Sequence, residues 1–65
     1  MTVSTYVVTA HGRELGAFHT QAAAKRHALT VDAKRVEHWR GKHLVEVFHW
    51  DANYGGWAIY QFAQD

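Results

Sequence analysis

Gly12-Arg13-Glu14-Leu15-Gly16-Ala17-Phe18-His19-Thr20, followed by Gln21-Ala22-Ala23-Ala24-Lys25-Arg26-His27-Ala28-Leu29, reads as a turn, a short strand, a helix cap and a basic, alanine-rich helix. Residues 3–10 before it are rich in β-branched and aromatic side chains, which suit a pleated surface. His11-Gly12 fits a two-residue turn, because glycine supplies the positive φ that a tight hairpin needs. That turn predicts Val8 opposite Leu15 and Tyr6 opposite Ala17. Thr20 is expected to cap the helix through its hydroxyl, although Ala23 cannot complete a reciprocal capping box. Strong helix formers without a breaker predict a helix over 22–33. Ala24, Ala28 and Val31 fall on one stripe with Leu29 beside it, and such small residues allow close approach to a sheet.

Two further strands are expected at 34–39 and 43–50, around Arg40-Gly41-Lys42. An Arg40-Gly41 turn pairs Val36 with Val45, Arg35 with Glu46 and His38 with His43. One face then carries Val36, His38, His43, Val45, Val47 and His49. The other carries Trp39, Leu44, Phe48 and Trp50 with Arg35, Glu37 and Glu46. Covering one face leaves apolar groups on the other, which suits a contact surface. Asp51-Ala52-Asn53-Tyr54-Gly55-Gly56 is a loop, and 57–62 reads as a last strand. The pattern is ββαβββ: a small α+β domain, residues 1–65, with an antiparallel sheet of about five strands and one covering helix.

The chain has 65 residues and no cysteine, so neither a disulfide nor a thiolate metal site can supplement its small core. Three tryptophans, three tyrosines and three phenylalanines supply apolar area, which makes tight packing the first expectation and a homodimer the second. Residues 1–10 lack a signal-peptide pattern, and no run is long enough to cross a bilayer. With a Met1 start and no flanking linker, these features predict a free-standing cytoplasmic protein that binds no membrane. Net charge is +1, but it is unevenly placed. All seven Lys and Arg lie between positions 13 and 42, against Glu14, Asp32 and Glu37, giving +4. Positions 43–65 hold Glu46, Asp51 and Asp65, giving −3. Uneven solvating charge explains a split of this size, and a nucleic-acid or charged-protein surface is the alternative.

Six histidines, at 11, 19, 27, 38, 43 and 49, invite a metal reading. None is spaced i, i+4 as a helical zinc pair is, and His38 with His43 lacks an evident third ligand, so no metal or other cofactor is expected. Catalysis is not expected either. There is no cysteine, Ser4 is the single serine, and so short a chain leaves little room for a pocket. Trp39-Arg40-Gly41-Lys42-His43 combines basic and aromatic groups at a hairpin tip, as nucleic-acid contact requires.

Leu15-Gly16-Ala17-Phe18-His19-Thr20, with Ala23, Ala24 and Ala28, resembles the strand-to-helix junction of plant ethylene-response-type DNA-binding domains and of phage-integrase arm-binding domains. The resemblance spans residues 15–29 and implies a glycine for close approach, a core phenylalanine, a threonine cap, and a sheet that reads DNA under an alanine-rich helix. Here two strands precede the helix, where those families place three.

These features predict a non-catalytic binding protein of the phage or mobile-element accessory type. The leading expectation is a protein–protein inhibitor or adaptor of a nucleic-acid-handling complex, in the manner of anti-defence (anti-CRISPR-like) proteins. Its expected anchors are Trp39, Arg40, Lys42, Trp50 and Tyr54, of residue types that dominate interfaces. The alternative is a direct duplex DNA or RNA binder using Arg13, Lys25, Arg26, Arg40 and Lys42.

Overall fold

The computed structural model describes residues 3–61, with side chains placed through Ile59. Its elements are β1 (Ser4–Ala10), β2 (Arg13–Phe18), α1 (Gln21–Thr30), β3 (Arg35–Arg40), β4 (His43–Asp51) and β5 (Gly56–Gln61). They form one α+β domain whose strands run antiparallel in the order β2-β1-β3-β4-β5. The helix carries the chain from edge strand β2 across β1 to β3, so that β1 and β3 become neighbours. The last strand was expected to reach Phe62, which lies outside the described residues.

The first hairpin turns at His11 and Gly12, with φ of +54° and +76°. This left-handed pair matches the right-handed twist of the flanking strands. Ala10 pairs with Arg13 and Thr9 with Glu14. Leu15 is then skipped, and pairing resumes as Val8 with Gly16, Val7 with Ala17 and Tyr6 with Phe18. The expected Val8–Leu15 and Tyr6–Ala17 pairs are thus displaced by one residue. A single-residue bulge exchanges the faces of everything beyond it. It brings Phe18 beside Tyr6 under the helix and leaves Leu15 40% exposed.

The second hairpin departs from expectation in the same way. Its turn is Gly41-Lys42, with Gly41 at φ +63°, and it pairs Arg40 with His43 and Trp39 with Leu44. Val45 is skipped, after which His38 pairs with Glu46, Val36 with Phe48 and Arg35 with His49. The Val36–Val45, Arg35–Glu46 and His38–His43 pairs do not form. Moving the turn shifts the register by two and preserves the faces; the bulge adds one and inverts them. Phe48, Glu46 and Trp50 therefore share a face with Val36 and His38, while Val47 and His49 join Trp39.

Thr20 Oγ1 accepts the Ala23 amide at 3.2 Å and starts the helix. The helix ends three residues before its expected limit. Asp32 adopts φ +58°, the Ala33 amide donates to the Ala28 carbonyl at 2.8 Å, and the Val31 amide donates to that of His27 at 3.0 Å. This closure satisfies carbonyls that the last turn leaves open. It also turns Val31 outward and inserts Ala33 into the core instead.

Val8, Val36 and Phe48, from β1, β3 and β4, lie fully buried beneath Ala24 and Ala28. Burying the Phe48 ring alone contributes about 2–3 kcal/mol. The helix lies low over β2 because Gly16 has no side chain. A Cβ there would sit 3.0 Å from the Phe18 ring and 3.3 Å from that of His27. His27 Nε2–H donates to the Leu15 carbonyl at 3.3 Å, tying the helix to the bulge.

Candidate functional site

Alternation along the strands sends every second side chain away from the helix. On that open face, cross-strand pairing builds three rungs. Glu14, Thr9, Arg35, His49 and Ala58 form the first; Ala17, Val7, Glu37 and Val47 the second; Thr5, Trp39 and Leu44 the third. The β1 and β3 members line a groove of about 1030 Å³ that runs from Gly41 at one end to His11 and Gly12 at the other. The expectation that so short a chain has little room for a pocket is corrected by this groove. It is an open trough on a twisted sheet, so it needs no enclosed interior.

Glu37 organises the groove. Its Oε1 accepts the indole N–H of Trp39 at 3.0 Å, and its Oε2 accepts Arg35 Nε at 3.0 Å and lies 2.9 Å from Arg35 Nη2. The three residues are two apart on β3, so a single strand presents a guanidinium, a carboxylate and an indole in a fixed row. Thr9 Oγ1, opposite Arg35, is buried with no hydrogen-bond partner among the described residues. The groove mixes charges, with Lys34 and Arg35 set against Glu14, Asp32 and Glu37.

The helix-side face holds a different polar group. His38 is buried, stacks on Tyr6 with centroids 4.4 Å apart, and donates from Nδ1 to Glu46 Oε2 at 3.0 Å. Its Nε2 is buried without a partner among the described residues. Lys25 crosses from the helix to place Nζ 4.4 Å from the Phe48 centroid and 5.9 Å from that of Trp57. Burial pulls the Lys25 pKa below its usual 10.5, and the charge of Glu46 partly opposes that shift. Among the described residues, no three His, Cys, Asp or Glu gather as metal ligands.

The expected anchors fall into two groups. Trp39 stands half-buried in the groove, with Arg40 and Lys42 exposed at the adjoining β3–β4 turn. Trp50 lies at the far end of β4, roughly 23 Å away at standard strand rise. It is on the helix side, packed edge-on against Trp57 at 5.6 Å. Tyr54, 74% exposed, tops the loop beyond it, where Asp51 Oδ1 accepts the amides of Asn53 and Tyr54 at 2.9 and 3.2 Å. The basic set is more scattered still. Arg13 starts β2 at the end opposite Arg40 and Lys42, Arg26 is exposed on the helix, and Lys25 lies over the aromatic rings.

Alternation in the sequence groups Arg35, Glu37 and Trp39 on one face, but only Trp39 is among the expected site residues. Thr5, Val7 and Thr9 are not among them. Their place beside β3 depends on a pairing that spans a hairpin and a helix, which no local pattern records. No helix among the described residues is long and apolar enough to cross a membrane. Comparison with protein-family models, curated proteins and solved structures finds no match.

Proposed function

We propose that this chain is a non-catalytic binding protein, an inhibitor or adaptor, that docks a protein partner on its open sheet face. The row Arg35–Glu37–Trp39 carries the reading. Arg and Trp are the residue types that most often anchor protein interfaces. Here they are held in place before any partner arrives, which lowers the ordering cost of binding. The balanced charge of the groove favours a protein surface over a phosphate backbone, which calls for a one-signed face.

The experiment is a tagged pull-down from cell lysate, with and without nuclease, using the unsubstituted chain and Trp39→Ala. A partner that survives nuclease and is lost with Trp39→Ala supports the reading. A partner retained by that variant moves the site elsewhere. Recovery of nucleic acid alone, lost on digestion, replaces a protein partner with DNA or RNA. That second reading draws on Arg40 and Lys42, both exposed at one turn with no acidic residue between positions 38 and 45. It predicts steep weakening with salt and loss of binding on charge reversal at those two positions.

A further inference from the structure

The two edges of the sheet are unlike. Edge strand β2 presents Arg13 and Glu14 and is broken by the Leu15 bulge, features that discourage strand addition. Edge strand β5 has none of them. Its six residues pair with β4 without a register shift, and positions 52–61 contain no charged residue and no proline. The helix packs over β1, β2 and β3, and it reaches toward β5 through the Lys25 side chain, whose Nζ lies 5.9 Å from the Trp57 ring. On the helix side of this edge Ile59 is 58% exposed, with Trp57 half-buried next to it and Leu29 56% exposed on the helix. An unbroken, uncharged and apolar edge is a template for another strand.

We infer that β5 pairs antiparallel with β5 of a second copy, joining two sheets into one of ten strands about a two-fold axis. A second copy fits this edge for reasons of charge. Self-pairing opposes no like charges along the strand, and the two-fold places the two Asp51 residues at opposite ends of the joint. An edge without charge offers a charged peptide no purchase. Both helices fall on one side of the joined sheet, and both open grooves fall on the other. The need is physical as well: among the described residues, three of the seven buried hydrophobic ones are alanines, and small cores commonly gain stability by association. Six residues of edge fall short of a standard interface of roughly 1,200 Å², so the dimer is expected to depend on concentration.

Sedimentation equilibrium between about 10 μM and 1 mM tests this, a range that brackets weak association. The mass should climb from 7.4 kDa toward twice that value. Ile59→Lys should remain at 7.4 kDa with an unchanged circular dichroism spectrum, while Leu15→Lys on the other edge and Trp39→Ala in the groove should associate as the parent does. Amide exchange in the unsubstituted protein provides a readout free of any variant, since the outward amides of β5 should become protected only at high concentration. A parent mass fixed at 7.4 kDa, β5 amides indifferent to concentration, or an Ile59→Lys protein that associates normally would each overturn the inference.

Discussion

One carboxylate oxygen of Glu37 accepts the indole N–H of Trp39 at 3.0 Å, two residues along the same strand. The orientation of Trp39 is thus set by a side chain that the sequence presents as ordinary surface charge. In Glu37→Ala the Trp39 indole N–H should exchange faster with solvent, while unfolding free energy falls by about 1 kcal/mol or less. Indole exchange by NMR and urea denaturation measure the two effects. Unchanged exchange would show that packing alone holds the ring.

Gly16→Ala should destabilise the fold by about 1–2 kcal/mol, because the added methyl meets the Phe18 and His27 rings at 3.0 and 3.3 Å. The penalty should shrink in a His27→Ala background, where one of the two obstructing rings is gone. A double-mutant cycle in urea isolates that coupling. Additive losses would place the strain elsewhere.

Asp32 occupies a left-handed backbone conformation at the end of the helix, with φ +58°. Stability should rank Gly above Asp above Val at this position. Glycine is expected to gain about 0.5 kcal/mol, and the β-branched residue to lose about 1–2 kcal/mol. Thermal unfolding of the two variants against the parent checks the order.

Lys25 gives a prediction in pH. Burial, opposed by Glu46, holds its pKa below 10.5, so the folded chain binds that proton less readily than the unfolded chain does. The resulting cost to stability is fully present below the folded pKa and fades as pH rises from there toward 10.5. The parent should therefore gain stability relative to Lys25→Met as pH climbs through that window. Denaturant titrations of both proteins across the alkaline range give the difference. A constant difference would mean that the ammonium is as well solvated over Phe48 as in water.

Much of the fold was legible because it is written in local chemistry. His11-Gly12 marks a tight turn, Thr20 a cap, and the alanines a helix that can lie close to a sheet. What misled in both hairpins was the same device. Leu15 and Val45 are each a single unpaired residue, apolar and β-compatible, and nothing about either announces a bulge. Each nevertheless reverses the face of every residue beyond it, which is why Phe48 belongs under the helix with Val36 rather than beside Trp39. The helix limit failed for a related reason. Asp32 and Ala33 have acceptable helical character, and the closure through Ala28 is decided by how Ala33 packs. As for the site, alternation grouped Arg35, Glu37 and Trp39, but the hydrogen bonds that make them a unit come from rotamers and not from spacing.

The alternation along β1, β3 and the part of β4 beyond its bulge divides those strands by arithmetic. Even-numbered Val8, Val36 and Phe48 hold the interior, and odd-numbered Thr5, Val7, Thr9, Arg35, Glu37, Trp39 and His49 line the opposite face. A lineage built on this plan can change its target by rewriting odd positions while leaving its interior untouched. Divergent descendants should therefore keep Val8, Val36, Phe48, Gly16 and the alanines of the helix, and look unrelated everywhere that a partner would look.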